Sequence, residues 1–350
     1  MSDDHDGVPE LLAAWAFGAL QPADEKAVPL HLAGCESCAA EAERLRETVR
    51  LLDGPPGAPE QAAVHNGAAL PDGVLAAARR ARPTAPRVAA HAAPYAAAVT
   101  GLTALLREVD GRRPWGTPVV HDWDVRDTVG HLIAADEELA RLLGVAADGA
   151  AADVPASRGG PDLPWEEAWE ARTADMIAYQ RTRSPEETVA AWAAQSSALL
   201  ATPEARDPER ASRATTMLGV RLPVADHFLG RAFETWIHTV DIGRALGLAV
   251  PPPVEAHLGQ MVRLAVRMLG LALGPTAPPV LFAVTGVEGD PQWVLGSEGE
   301  PVRGELALRA VDFCLLVGGR HTPASIPRGV EGDKNAVRAV LEQAAALAWL

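Results

Sequence analysis

The pattern of apolar and polar residues predicts a chain that is mostly helical and ends in a region with strands. ELLAAWAFGALQ has apolar residues at helical spacing, and the segment from Ala23 to Arg50 predicts one or two further helices. From about residue 87 the apolar residues keep a helical spacing for about 150 residues.

Two helices of this region can be positioned from their ends. One begins at DWDVRDTVGHL, where Asp124 is a suitable N-cap and Asp127 lies in the first turn, a favourable place for a negative charge. The other is predicted from about Val224 to Leu246 and ends at the glycine-containing ALGLAVPPP.

The segments before and after this helical region have other patterns of apolar residues. DGPPGAPEQAAVHNGAALPDG has no sustained period and predicts a linker, and VLAAARRARPTAPR predicts a short basic helix after it. From about Pro278 the apolar runs PPVLFAVTG, QWVLGSE and VRGELALRAVDFCLLVGG are short and separated by Gly, Asp and Pro, which predicts strands. A final helix, NAVRAVLEQAAALAWL, is expected to follow.

The net charge and the composition of the chain limit which kinds of molecule the protein is expected to bind. The 350 residues carry a formal net charge of -15, which argues against broad contact with nucleic acid or an anionic membrane. No apolar run reaches the roughly 18 residues of a membrane span, and MSDDHDGVPE lacks a signal-peptide pattern, so a cytoplasmic protein is expected. The three cysteines do not form a disulfide framework, and Cys314 is expected to be a small buried apolar residue.

A first candidate metal site lies in HLAGCESC. His31, Cys35 and Cys38 have the spacing HxxxCxxC, which on a helix or at its end allows three soft ligands to converge on one tetrahedral ion. Zinc needs a fourth ligand, and His5 is the nearby upstream candidate. A close cysteine pair is also compatible with a redox switch, or with cysteines that are only packed in a fold that has lost its metal.

This N-terminal segment resembles the zinc-binding anti-sigma domain, a small helical domain with an upstream His or Cys followed by HxxxCxxC. The resemblance covers about the first 85 residues and places the ligands at His5, His31, Cys35 and Cys38. It implies binding of a sigma factor, and in some members release of that factor when a cysteine pair is oxidised. Redox-responsive members have a cysteine at the position of His5, which argues against thiol sensing here.

A second constellation lies in DHFLGRAFETWIHTVDIGRALG. Glu234 and His238 are neighbours four positions apart, and His227 and Asp241 fall in the same stripe of an otherwise apolar helix. Glu and His at this spacing offer two ligands to a divalent ion. The best candidate for the third is His131 in DTVGHL, on another helix with apolar neighbours.

Three segments together carry a more specific resemblance: WDVRDTVGHLIAADEEL, RAFETWIHTVDIGRALG and VRGELALRAVDFCLLVGGR. They resemble the mycothiol-dependent maleylpyruvate isomerase family over roughly residues 87 to 350. The resemblance implies a DinB-like four-helix bundle and a small α/β domain, with zinc or another divalent metal bound by His131, Glu234 and His238. Asp241 suits a partner that orients an imidazole. His227 matches no ligand of the family and is a weaker candidate for an alternate ligand or a proton carrier.

The implied chemistry uses a metal with three protein ligands and an open position, where the pKa of a bound water or thiol falls. The thiol is mycothiol, which would add to an activated double bond and leave after rotation, or take part in another thiol transfer. Arg231 and Arg320 are candidates for binding the carboxylates of an acidic or electrophilic substrate. Either arginine can instead be structural or solvated.

The predicted fold is therefore mostly α. Its parts are a zinc-finger domain at 1–53, a linker with a basic helix at 54–86, a DinB-like bundle at 87–249 and a small α/β domain at 250–350. Two functions remain open. The chain is a mycothiol-dependent metalloenzyme fused to a zinc-finger regulatory domain, or a cytosolic anti-sigma factor or transcription regulator whose C-terminal part senses a thiol or ligand.

Overall fold

The computed structural model describes residues 8–16, 20, 24, 27–53, 87–145, 164–217 and 219–347. These residues belong to two compact units, Met1–Thr84 and Ala85–Leu350. His5, the predicted linker and most of the predicted basic helix lie outside the described residues.

The first unit contains three described helices around a small core. The helices are α1 (Val8–Ala16), α2 (Ala27–Gly34) and α3 (Glu36–Asp53). Leu12, Val28, Cys38 and Ala42 pack together, one or two from each helix. The prediction of one or two helices between Ala23 and Arg50 is confirmed, since α2 and the greater part of α3 lie there.

The second unit is built around a four-helix bundle. Two antiparallel hairpins of short strands and several further helices are attached to it. The bundle helices are α4 (Ala93–Leu106), α5 (Val125–Leu142), α7 (Pro185–Ala201) and α10 (Val224–Leu246). The attached helices are α6 (Trp165–Gln180), α8 (Pro203–Arg206) and α9 (Pro208–Ala211), and the hairpins pair β1 (Pro118–Val120) with β2 (Trp123–Asp124) and β3 (Ala214–Met217) with β4 (Val220–Pro223). Helix α10 packs on α4 and α5, α5 packs on α7, and α6 lies against α5.

Both predicted helix ends are confirmed. Asp124 is the N-cap of α5 and forms a capping box with Asp127: each side chain accepts a hydrogen bond from the backbone N–H of the other residue. Helix α10 ends at Gly247, whose left-handed φ of 68° is a conformation that glycine adopts without steric cost. These two ends fix the start of α5 and the end of α10, the helices that carry the candidate site.

The C-terminal part forms a mixed four-stranded sheet covered by helices. Its strands are β5 (Val280–Thr285), β6 (Gln292–Leu295), β7 (Gly304–Arg309) and β8 (Gly329–Gly332), and its helices are α11 (Glu255–Leu273), α12 (Ala310–Val317) and α13 (Lys334–Ala346). The spatial order is β6-β5-β7-β8, with β5 and β7 parallel and the other pairs antiparallel. Buried residues alternate along β5 and β7, so one face of the sheet packs under the helices.

One predicted strand is wrong. VDFCLLV was read as an apolar strand, but Ala310–Val317 is helix α12. Its residues are apolar and buried on nearly all sides, including Phe313 and Cys314, so the sequence has no polar face that would reveal a helical period. The expectation that Cys314 is a buried apolar residue is confirmed.

The bundle and the sheet share one hydrophobic core. Phe228 and Trp236 of α10 belong to the same buried cluster as Phe282 of β5 and Phe313 of α12. The predicted fold class, mostly α with a DinB-like bundle and a small α/β part, is confirmed. The domain boundary predicted after residue 249 stays a prediction. In the part of the chain that the structure describes, no helix combines the length and apolar character needed to cross a membrane.

The capping box leads to a first prediction. Replacing Asp124 with alanine removes the side-chain acceptor at the start of α5, and we expect the free energy of unfolding to fall by about 1 kcal/mol. Thermal and urea unfolding followed by circular dichroism measure this change. Asp122→Ala, an exposed change two residues earlier, is the control and should stay within about 0.5 kcal/mol of the native protein. Equal losses for the two variants would show that the cap contributes nothing.

Candidate metal centre

Helix α10 carries a buried polar stripe at the centre of the second unit. Glu234 and His238 are four residues apart and lie on the same face. Because α10 packs against α4, α5 and α11, this face is almost removed from solvent: Glu234 is 6% and His238 0% exposed. Charged and polar side chains so deeply buried need partners that replace their lost hydration.

Helix α5 brings His131 to this stripe. His131 is buried and lies two turns after the Asp124 cap. Its Nε2 is 2.8 Å from Oε1 of Glu234, and its ring centroid is 4.9 Å from that of His238. One ligand atom from each of His131, Glu234 and His238 lies within 4.8 Å of the others, so the structure brings these three predicted residues together.

The donor set suits a divalent cation such as zinc. Two imidazoles and a carboxylate are the ligands of many three-ligand zinc sites. The ring nitrogens of His131 and His238 are buried, and among the described residues His131 Nδ1 and His238 Nε2 have no hydrogen-bond partner. Burial lowers the pKa of His238 to about 4, so this imidazole is neutral at neutral pH and its nitrogen lone pair is available to a metal.

Arg231 holds the second oxygen of Glu234. Burial alone would raise the pKa of Glu234, but the positive charge of Arg231 and the contacts with both histidines lower it to about 2. Arg231 Nη1 donates to Glu234 Oε2, and Arg231 Nε donates to Asp136 Oδ1 at 2.7 Å. The carboxylate of Glu234 is therefore ionised, with one oxygen on the arginine and the other facing His131.

Asp136 and Tyr95 extend this network into the bundle. The Tyr95 hydroxyl donates to Asp136 Oδ2 at 2.6 Å, and both residues are fully buried. Burial raises the pKa of Tyr95 well above its usual value, so the phenol keeps its proton and remains a donor. Neither residue was a candidate from the sequence, because their contacts join helices that are far apart along the chain.

His238 has a partner of its own in Asp241. Asp241 Oδ2 lies 3.2 Å from His238 Nδ1, on the opposite side of the ring from Nε2. Arg320 donates from Nε to Asp241 Oδ1 at 3.0 Å, and its Nη1 donates to the Gly318 carbonyl. The guanidinium of Arg320 is thus turned toward a carboxylate of the protein.

A cavity of about 660 Å³ opens beside the triad, and His131, Glu234 and Arg231 form part of its wall. His227 lines the same cavity and its Nε2 is 3.1 Å from the Thr215 carbonyl, so this nitrogen donates and is not directed at a metal.

Three tryptophans, which sequence reasoning missed, complete the wall: Trp123, Trp165 and Trp169. The ring centroid of Trp123 is 4.7 Å from that of His131, and that of Trp169 is 5.8 Å away. The spacing of Trp165 and Trp169, four positions apart in a predicted helical region, was the signal available in the sequence.

The first unit holds a separate cluster. One ligand atom from each of His31, Cys35 and Cys38 lies within 4.8 Å of the others, across the junction of α2 and α3. A hydrogen bond with Ser37 lowers the pKa of the Cys35 thiol, which favours the thiolate that a metal binds. His5, the predicted fourth ligand, lies outside the described residues.

Two family models match the chain. Residues 95–243 match the model described as "Mycothiol maleylpyruvate isomerase N-terminal domain", and residues 10–39 match the model described as "Putative zinc-finger". The chain therefore carries a mycothiol maleylpyruvate isomerase N-terminal domain in its helical bundle and a zinc-finger segment before it.

Individual proteins and solved structures are also similar to this chain. Two uncharacterized proteins of Mycobacterium tuberculosis, from strains CDC 1551 / Oshkosh and ATCC 25618 / H37Rv, are 30% identical over 127 residues, which is 35% of this chain and 47% of each relative. The match thus spans about half the length of these relatives. Crystal structures of the mycothiol-dependent maleylpyruvate isomerase and of its histidine-to-alanine mutant are 15% identical, with TM-scores of 0.46 and 0.45. They cover 69% and 68% of this chain, and 92% and 91% of their own chains.

The low pKa of His238 generates a prediction for the metal-free protein. A histidine that titrates near pH 6.5 in the unfolded chain and near 4 in the folded one takes up a proton more readily when unfolded. Its contribution to stability is complete above the unfolded value and is lost as the pH falls toward the folded one. Between pH 7 and pH 5 we expect the free energy of unfolding to fall by about 2 kcal/mol from this residue.

Urea unfolding at the two pH values, in the presence of a chelator, measures this loss. The variant His238→Gln should lose most of the pH dependence, whereas His121→Gln, at an exposed histidine, should keep it. An unchanged slope in His238→Gln would contradict the assignment.

Proposed function

We propose that the chain is a thiol-dependent metalloenzyme in which His131, Glu234 and His238 bind a divalent metal ion, most suitably zinc, and mycothiol is the thiol. The observation that carries this proposal is the buried two-histidine, one-carboxylate cluster beside a cavity, with its ligand atoms within 4.8 Å of one another. The family match of the surrounding bundle supports mycothiol as the thiol.

A metal held by three protein ligands keeps an open position and supplies a Lewis acid that lowers the pKa of a thiol there. The protein's own residues prepare that position. Arg231 restrains the Glu234 carboxylate so that one oxygen remains for the metal, and Asp241, itself restrained by Arg320, fixes the ring of His238. Both arginines therefore act as positioning residues, a role different from the carboxylate binding predicted from the sequence.

The reaction class that fits is reversible thiol addition. The thiolate sulfur forms a C–S bond to one carbon of a double bond conjugated to a carbonyl, and the π electrons move onto the carbonyl side. The former double bond is now single and rotates. Elimination then breaks the C–S bond, restores the double bond in the trans geometry and releases the thiolate, so no oxidant or reductant is consumed. Capture of a proton before elimination would give a thiol conjugate instead.

For the N-terminal unit we propose a structural zinc site formed by His31, Cys35 and Cys38, with His5 as the fourth ligand. The HxxxCxxC spacing, the clustered ligand atoms and the zinc-finger match support it. Its proposed role is to present the helical surface of this unit to a protein partner such as a sigma factor. A regulator whose larger unit only binds a thiol is the second candidate function, and this cluster is the observation that favours it.

Metal content tests both sites in the intact protein. We expect about two equivalents per chain by elemental analysis, because two separate ligand sets are present. The double variant Cys35→Ser/Cys38→Ser should lose one equivalent, and His131→Gln/His238→Gln should lose the other. A chain in which the second variant keeps the full metal content contradicts the bundle site.

Turnover separates the two candidate functions. With mycothiol and an uncharged cis-configured substrate such as dimethyl maleate, Glu234→Ala should lower the rate at least about 100-fold, because a metal ligand and the partner of Arg231 are both lost. The variant Cys35→Ser/Cys38→Ser is the matched control and should keep the native rate. No turnover by a fully metal-loaded native chain, with mycothiol bound, would favour the regulator.

A further inference from the structure

The charges around the cavity bear on which substrate it accepts. A dicarboxylate is ordinarily bound by arginine or lysine side chains whose donors point at it. Among the described residues that line the cavity, Arg231 is the cationic one other than histidine. Its Nε and Nη1 are occupied by Asp136 and Glu234, so its charge is already balanced by two protein carboxylates.

Arg320 is not available as a substitute. Its Nε and Nη2 both donate to Asp241, and its Nη1 donates to the Gly318 carbonyl. Arg320 is also not among the described residues that line the cavity. Of the two guanidinium groups that the sequence offered for substrate carboxylates, Arg320 is occupied by Asp241 and Gly318. Arg231 is balanced by two carboxylates and keeps only its buried Nη2 without a partner.

The remaining charged residues of the cavity wall are acidic. Asp122, Glu166 and Glu170 are exposed, and within the described part of the chain none of the three forms an ion pair with an arginine or lysine. Asp226 also lines the wall but is neutralised by Arg267 at 2.7 Å. Among the described residues, the cavity wall thus presents three exposed carboxylates without an ion-pair partner, in a chain whose net charge is already -15.

The same wall is aromatic. Trp123 and Trp169 lie beside His131, and Trp165, which is 46% exposed, reaches the β3–β4 hairpin, where a side chain at Gly219 would come within 2.8 Å of its Nε1. Indole faces bind apolar rings by stacking and bind cations through the negative potential of the ring. Carboxylates beside indoles strengthen the preference for a cation.

We infer that the cavity binds an electrophile with an aromatic or apolar body that is uncharged or cationic, and that it discriminates against dicarboxylates. This inference rests on the proposed thiol-dependent function and specifies its substrate class. Acidic substrates such as maleylpyruvate are poor ligands, because the approaching dianion meets three carboxylates and, among the described residues of the wall, no guanidinium whose charge is unbalanced. The electrophile instead places its body against the tryptophans and its reactive carbon toward the triad.

Three ligands of nearly identical shape test the charge preference without turnover: benzoate, benzamide and benzamidine. Their dissociation constants for the zinc-loaded full chain are measured by ligand-observed NMR titration at low and high salt. We expect benzamidine and benzamide to bind at least about tenfold more tightly than benzoate at low salt. The gap between benzamidine and benzoate should narrow in about 0.5 M salt, because exposed charges are screened.

Charge variants assign the effect to the cavity wall. In Glu166→Gln/Glu170→Gln, benzoate should bind more tightly and benzamidine more weakly, each by about threefold or more, with benzamide unchanged. Glu167→Gln removes one charge from the same helix at an exposed position outside the cavity lining, and should leave the order and the gap as they are.

The outcomes separate this inference from the proposed function. Benzoate binding as tightly as the other two, or no binding by any of them, overturns the inference. Isomerisation of dimethyl maleate and of maleate by mycothiol, each relative to its uncatalysed rate, is measured in parallel. Absence of turnover with the expected binding order refutes the enzyme function alone, whereas turnover that favours maleate refutes the substrate class alone.

Discussion

The burial of an ionised carboxylate, Glu234, is the constraint on which the rest of the second unit depends. An isolated carboxylate in this position would cost several kcal/mol of stability, so the surrounding helices must supply positive charge and hydrogen-bond donors. Arg231 supplies the charge from the preceding turn of α10, and His131 faces the other oxygen from α5. The arginine is itself buried and requires Asp136, which in turn accepts the Tyr95 hydroxyl.

These contacts connect helices α4, α5 and α10, but the charges of the buried groups do not cancel. Glu234, Asp136 and Arg231 sum to one negative charge in the core. A divalent cation at the triad would reverse the sign, and the neutral imidazole of His238 would offer its lone pair at no cost in deprotonation, since the pKa of His238 is already low. The cluster can therefore accept an ion without first releasing a proton from His238.

Local spacing predicted the parts of the site that lie on one stretch of chain. Glu234 and His238 follow from an i, i+4 pair in an apolar helix, and His31, Cys35 and Cys38 follow from one short motif. Local spacing does not predict contacts between segments that are far apart in the sequence. Tyr95 meets Asp136 across 41 positions, and Arg320 meets Asp241 across 79, and no periodicity encodes such partners.

Dependence on contacts between distant segments also explains why the partners of the two arginines and the helix at VDFCLLV were not predicted. Arg231 and Arg320 were recognised as arginines near a candidate site, but whether a guanidinium faces a ligand or a protein carboxylate depends on tertiary packing. The strand predicted at VDFCLLV was wrong for a related reason, since a helix buried on all sides has no amphipathic period. Two bundle helices, by contrast, were placed from their ends: α5 from the Asp124 cap and α10 from the glycine that follows it.

The pairing of Arg320 with Asp241 bears on how such proteins could evolve by exchange of segments. The family match ends at residue 243, yet the guanidinium that restrains the partner of His238 comes from beyond two further helices and three strands. Phe282 and Phe313 likewise complete the core around α10. A recombination event that moved the matched segment alone would deliver the candidate ligands without Arg320, which restrains Asp241, so inheritance of this cluster requires both parts to be transferred together.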